Sequence, residues 1–88
     1  MVEGKRKIQV LNNLSQLYIN TSNYSMALKY SGEALALAEK LNFKPGISDT
    51  HISLGNIYYY KGNYPEALSN HLAALKLQEE TGDKLSAA

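Results

Sequence analysis

The chain repeats itself at a distance of forty residues, and this repeat restricts its possible folds more than any other feature. Most of the identical positions are apolar or aromatic, as expected where every unit packs on its neighbour in the same way. Leu14, for example, recurs forty positions later as Leu54, and Tyr18 recurs as Tyr58. Further pairs are Asn23 and Asn63, Tyr24 and Tyr64, Ala27 and Ala67, Leu28 and Leu68, Ala34 and Ala74, Leu35 and Leu75. The repeat predicts one domain over 1–88, with units at about 5–42 and 44–82.

Within each unit the apolar residues recur at intervals of three and four, which is typical of amphipathic helices. Polar triplets ending in Asn23 and Asn63 interrupt both units at equivalent places, and asparagine is a good cap for the helix that follows. The pattern predicts an all-α fold with helices at 5–20, 24–41, 45–61 and 64–81, and with 83–88 as the start of a further helix.

The ends of the second helices carry residues that accept a left-handed backbone. Asn42 follows the first of them and Gly82 the second, and both residue types tolerate this conformation. Pro45 suits the first turn of the third helix, where a missing N–H is not needed. These residues predict sharp connections between consecutive helices.

Charge and cysteine content exclude several classes of function. Nine basic and eight acidic side chains leave a formal net charge of +1, and the basic cluster Lys5–Lys7 reads as a solvated helix start. We therefore expect neither a nucleic-acid nor a membrane partner. The chain has no cysteine, which excludes disulfides and thiolate metal sites and fits a reducing compartment. We expect a cytoplasmic location.

The residues indicate no catalytic or metal chemistry. His51 and His71 are the only histidines, and their place on the packing faces favours a structural role. A third metal ligand with suitable spacing is missing, and no glycine-rich motif positions a nucleophile or a phosphate. The sequence predicts no enzyme, no cofactor and no metal site.

The second unit resembles the tetratricopeptide repeat in a long form of about forty residues. The resemblance lies in Leu54-Gly55, Tyr58, Tyr64, Ala67, His71 and Ala74. The first unit follows the same order more loosely, with Leu14-Ser15, Tyr18, Tyr24, Ala27, Ser31 and Ala34. Departures are Leu11 and His51 in place of a tryptophan, Ser31 and His71 in place of an aromatic residue, and a missing terminal proline. The resemblance implies antiparallel helix pairs stacked as a right-handed superhelix, in a scaffold without chemistry of its own.

The resemblance also implies a concave groove along the first helix of each unit, where a peptide or partner segment binds. Its residues would be Gln9, Asn12, Gln16, Ile19 and Asn20 from the first unit, and Asp49, Ile52, Asn56, Tyr59 and Tyr60 from the second. Asn13 would offer an amide to the peptide backbone, and Ser53 stands at the equivalent place in the second unit. At least one of Tyr59 and Tyr60 should face the groove. A clamp for a terminal carboxylate is not expected, because these positions carry no cation.

Three uses of such a fold are open. The first is a protein-interaction scaffold, and the second a structural or sensory module of a longer signalling protein that carries a kinase, a cyclase or a transcription regulator. The third is self-association, because two units leave an apolar flank open. The sequence predicts that copies associate as a closed dimer or by exchanging a helix pair through a straightened loop at 42–46.

Overall fold

The computed structural model describes residues 2–81, all of them in four helices and the short turns between them. The helices are α1 (Val2–Asn20), α2 (Tyr24–Lys40), α3 (Lys44–Lys61) and α4 (Tyr64–Thr81). The all-α prediction is confirmed, although α1 begins before residue 5. The predicted further helix at 83–88 and the left-handed Gly82 lie outside the described residues.

The helices form two antiparallel hairpins that pack side by side. The hairpin of α1 and α2 meets the hairpin of α3 and α4 through α2 and α3, and α1 also contacts α3 along one edge. The two hairpin turns use the same backbone device, since Ser22 and Gly62 both have a positive φ, of 63° and 84°. Asn42 turns the chain between the hairpins with a φ of 52°, as predicted. Asn23 caps α2, because its Oδ1 accepts a hydrogen bond from the backbone N–H of Met26 at 3.3 Å.

The helices of the first hairpin meet at a buried pair of hydroxyl groups. Ser15 Oγ lies 2.7 Å from Ser31 Oγ and donates to the backbone carbonyl of Ala27 at 2.9 Å. Since a serine hydroxyl has one proton, Ser31 must donate to Ser15. Both side chains are fully buried, and no buried polar side-chain atom within 2–81 lacks a partner.

The helices of the second hairpin meet at the equivalent positions through a glycine and a histidine. A Cβ atom at Gly55 would overlap the His71 ring, so the absence of a side chain lets the ring lie on the backbone of α3. His51 Nδ1 lies 2.9 Å from Asn70 Oδ1, and the Asn70 amide in turn donates to the carbonyl of Glu66. His51 therefore lies between α3 and α4, and the exposed His71 ring covers the backbone of α3.

Two apolar clusters hold the hairpins together. One is built on Ile8, Leu11, Ala34 and Ala38, with Tyr30, Leu37, Leu41, Phe43 and Ile47 against it. The other is built on Ile19, Ala27 and Ile57, with Tyr18, Tyr24, Leu28 and Leu54 against it. The second cluster corrects the expectation for Ile19, which is buried in the core and does not face the groove. Its spacing from Ile8, Leu11 and Ser15 turns it towards α2.

Candidate functional site: a pocket between the two hairpins

A pocket of about 490 Å³ opens where α1 runs along α3. It lies on the face that the sequence predicts as the groove. Its lining consists of Lys5, Arg6, Ile8, Gln9, Asn12 and Asn13 from α1, Phe43 from the linker, and Gly46, Asp49 and Ser53 from α3. Of the residues that the sequence assigns to the groove, the pocket brings together Gln9, Asn12, Asn13, Asp49 and Ser53.

The floor of the pocket depends on the small residue at the start of α3. A Cβ atom at Gly46 would lie 2.8 Å from Cδ2 of Phe43 and 3.3 Å from Cγ2 of Ile8. Glycine therefore allows the aromatic ring and the isoleucine to close over the backbone of α3. The result is an apolar floor beneath walls of polar and charged side chains.

A hydrogen-bonded link fixes the spacing of the pocket walls. Thr50, which is fully buried, donates its hydroxyl proton to the carbonyl of Gly46 at 2.8 Å. The Asn12 amide donates to the same hydroxyl oxygen at 3.1 Å, which ties α1 to α3. Asn12 was predicted to contact the bound segment. Its half-buried side chain is instead engaged in this hydrogen bond, which holds the two walls together.

Gln9 and Asn13 are the amides that remain available to a bound molecule. Both side chains are exposed, and neither makes a hydrogen bond within residues 2–81. An amide group donates and accepts, so each can pair with a peptide backbone of any sequence. The neighbouring Ser53, which is half-buried, adds a hydroxyl from the opposite wall.

Two cations stand at one end of the pocket, at positions other than those predicted to carry no cation. Lys5 and Arg6, both exposed near the start of α1, line it. Lys5 Nζ lies 4.8 Å from the centroid of the Phe43 ring, a cation–π contact that keeps the ammonium group at the rim. Asp49 on the α3 wall places a negative charge in the same lining.

The remaining predicted residues lie beyond the pocket, nearer the other end of α1 and α3. Gln16 donates its amide proton to Asn20 Oδ1 at 3.1 Å, so these two pair with each other along α1. On α3 the spacing of three and four puts Asn56 and Tyr60 on the same face as Asp49 and Ser53. Ile52 is exposed at the margin of this face and does not line the pocket.

Tyr59 turns away from this face. Its ring makes an edge contact with the ring of Tyr64 on α4, with the centroids 5.6 Å apart. It also lies 5.6 Å from Tyr60, again edge to face. Tyr60 is therefore the tyrosine that shares the groove face, and Tyr59 belongs to an aromatic group at the end of the second hairpin.

Five lining residues were not predicted from the sequence: Lys5, Arg6, Ile8, Phe43 and Gly46. One signal was present for Lys5, which precedes Gln9 by four residues and so shares its helix face. Phe43 and Gly46 lie in and just after the linker, where repeat periodicity carries no information about which side they face.

The described residues also bear on metal binding and membrane insertion. Within 2–81 no group of three or more histidine, aspartate or glutamate side chains is arranged to hold a metal ion. None of the four helices has the length and apolar character needed to cross a membrane.

The comparison with protein families decides the classification. A model of the tetratricopeptide repeat matches residues 6–80, which is most of the chain. The chain belongs to the tetratricopeptide repeat family. No curated protein and no solved structure matches it. Tetratricopeptide repeats generally mediate protein–protein interaction and form scaffolds without catalytic activity, so binding to a protein partner is the general function of this fold.

Proposed function

We propose that the chain is a scaffold that binds an extended peptide segment of a partner protein in the groove between α1 and α3. The observation that supports this most strongly is the pocket, because it combines an apolar floor with unpaired amides on one wall. Gln9 and Asn13 pair with the peptide backbone, and Phe43 and Ile8 receive an apolar side chain.

The charges of the lining favour an acidic residue in the bound segment. Lys5 and Arg6 stand together at one end, whereas Asp49 is the only acidic residue in the lining. A carboxylate of the peptide beside the two cations gains charge-assisted hydrogen bonds that a neutral side chain does not.

Asn56 and Tyr60 extend the proposed site along α3. They follow Asp49 and Ser53 on the same helix face, so a segment longer than the pocket passes over them. The exposed Tyr60 ring offers a large apolar contact with a polar tip, which suits an interface anchor. Gln16 and Asn20 line the corresponding stretch of α1.

The test is a panel of immobilised peptides in which one acidic residue of each peptide is replaced by its amide. We expect the full chain to retain the acidic members in preference to the amides. Lys5→Gln with Arg6→Gln should weaken the acidic peptides about tenfold, since a charge-assisted hydrogen bond contributes about 1.5 kcal/mol. Asn13→Ala should weaken acidic and amide peptides alike.

A matched control removes two cations elsewhere. Lys29 and Lys40 are exposed on α2, away from the pocket, and Lys29 lies over the Tyr30 ring. Lys29→Gln with Lys40→Gln changes the net charge by the same amount and should leave peptide binding unchanged. Equal losses in the two double variants would show that bulk charge, and not the pocket, attracts the peptides.

A further inference from the structure

Two outer faces of the molecule carry residues that are equivalent, at a distance of forty positions, to residues of the interface between α2 and α3. Inside the chain, α2 packs against α3, and Leu54 and Ile57 of α3 lie in one cluster with Ala27 of α2. Their equivalents forty positions earlier are Leu14 and Leu17 on α1, and Val10 lies on the same helix face as these two. Leu17 is 60% exposed although its equivalent Ile57 is 0% exposed. The outer face of α1, comprising Val10, Leu14 and Leu17, therefore has the pattern of the α3 side.

The outer face of α4 has the pattern of the α2 side. In α2, Tyr24 and Leu28 are half-buried in the cluster that contains Ile57. Their equivalents on α4, Tyr64 and Leu68, are exposed. Leu75, whose equivalent Leu35 is half-buried on α2, continues the same helix face and is exposed as well. Leu72 adds an exposed leucine at a position where α2 carries the exposed Gly32. The outer face of α4 is thus an uninterrupted apolar stripe of Tyr64, Leu68, Leu72 and Leu75.

We propose that the outer face of α4 binds the outer face of α1 of a second copy, in the arrangement that α2 and α3 adopt within one chain. Each face copies one side of an interface that this chain already forms. The contact joins different surfaces, so every copy keeps one free face of each kind and the assembly grows head to tail. A two-fold contact would instead oppose two copies of the same α4 stripe.

Charge complementarity supports the same pairing. Within the chain, Leu37 and Leu41 at the end of α2 and Ile47 near the start of α3 pack against one cluster. The same arrangement between copies brings the end of α4 beside the start of α1. The end of α4 carries Glu79 and Glu80, and the start of α1 carries Arg6 and Lys7, which precede Val10 by four and three residues; all four are exposed. Opposite charges thus meet in the head-to-tail pairing, whereas a two-fold pairing of α4 stripes lacks this basic segment.

The test uses two variants of the full chain, each with one face removed. Val10→Glu with Leu17→Glu removes the α1 face, and Leu68→Glu with Leu75→Glu removes the α4 face. All four side chains are exposed, so the fold should persist, which far-ultraviolet circular dichroism and a thermal melt check directly. Burying two carboxylates in the contact should weaken association at least about 100-fold.

Sedimentation equilibrium then separates the possible assemblies. We expect the weight-average mass of the unaltered chain to rise with concentration past that of a dimer, while each variant alone stays at 9.7 kDa. An equimolar mixture of the two variants should form a dimer that grows no further, because the intact α4 face of one meets the intact α1 face of the other. Restored pairing in the mixture is the result that only a head-to-tail contact gives.

Three results would overturn the proposal. Dimers of the variant without the α1 face would show a two-fold contact between α4 stripes. Dimers of both variants that exchange subunits only slowly would show a swapped hairpin. An unaltered chain that stays monomeric throughout would show that neither face binds a copy, whatever the outcome of the peptide experiment at the pocket.

Discussion

The two hairpins share one residue register, yet their second helices have different surroundings. α2 buries Ala27, Ser31, Ala34 and Ala38, whereas α4 buries only Ala67 and Ala74. The cause is position in the stack, because α2 lies between α1 and α3 while α4 contacts α3 alone among the described helices. The identical alanines are buried in both helices, but Tyr24 and Leu28 are half-buried on α2 whereas their identical equivalents Tyr64 and Leu68 are exposed on α4. The repeat thus defines which side chains can pack, and the neighbouring helix decides which of them do.

The largest expected effect tests this difference at one pair of equivalent positions. Ile57→Ala should lower the free energy of unfolding by about 2–4 kcal/mol, because it empties a fully buried site between the hairpins. Leu17→Ala should lower it by less than about 0.5 kcal/mol, since the leucine is mostly exposed. Urea unfolding followed by circular dichroism measures both, at a concentration where the chain is monomeric.

If Ile57→Ala leaves no folded protein, Ile57→Val provides the same comparison at about 0.5–1.5 kcal/mol. Equal losses at the two positions in the monomer would contradict the different surroundings of α1 and α3. A loss at Leu17 that appears only at high concentration would instead sharpen the comparison, because it would mean that a second copy covers α1.

The contacts within the two hairpins give the next prediction. Ser15→Ala should destabilise the fold by about 1–3 kcal/mol, because it leaves the buried Ser31 hydroxyl without a partner. Ser31→Ala should cost about 1 kcal/mol, since Ser15 still donates to the Ala27 carbonyl. Removing both hydroxyls should cost less than the sum of the two single changes.

The second hairpin should respond less at the equivalent position. His71→Ala removes a ring that packs on Gly55 but is exposed, so the expected loss is at most about 1 kcal/mol. Ser69→Ala, at an exposed serine of α4, is the control for a lost hydroxyl and should change the unfolding free energy by less than about 0.5 kcal/mol. In the first hairpin, losses of unfolding free energy that simply add for Ser15→Ala and Ser31→Ala would refute the hydrogen bond between these two side chains.

Much of the fold could be predicted from the sequence, because it depends on periodicity. The intervals of three and four predict the helices, and the left-handed turn at Asn42 follows from the residue type. Ile19 was placed wrongly, because the family pattern assigned it to the groove while its own spacing from Ser15 and Leu11 points to the core. Local spacing was the better guide there.

The candidate site was less accessible to prediction. Gln9 and Asn13, which line the pocket, were predicted from the family resemblance, because it assigns both to the groove. The floor under them needs Phe43 and Gly46, whose positions depend on how the second hairpin docks on the first. The link between Asn12 and Thr50 joins residues from different units, and no repeat pattern within one unit contains that information.

The link between the walls gives a third, smaller effect. Thr50→Val keeps the shape of the side chain but removes the hydroxyl that Asn12 and the Gly46 carbonyl share, so we expect a loss of about 1 kcal/mol. Val10→Thr makes the reverse exchange at the equivalent, exposed position of α1 and should change the unfolding free energy by less than about 0.5 kcal/mol. If both variants lowered the unfolding free energy by a similar amount, the Thr50 hydroxyl would not stabilise the contact between α1 and α3.

The smallest effect concerns the hairpin turns, where the two hairpins use different residues for one backbone conformation. Ser22 holds a φ of 63° and Gly62 a φ of 84°, and a left-handed backbone is unfavourable for a residue with a Cβ atom. Ser22→Gly removes this strain but gives the unfolded chain more freedom, so the net gain in stability should be about 0.5–1 kcal/mol. Gly62→Ser should lower stability by a similar amount, and both sites are exposed, so packing does not obscure the result. Thermal melts of the two variants and of the combined exchange measure the effect. If the exchange is neutral while the single changes have opposite signs, the two turns are equivalent, and the difference between the hairpins lies entirely in the helices.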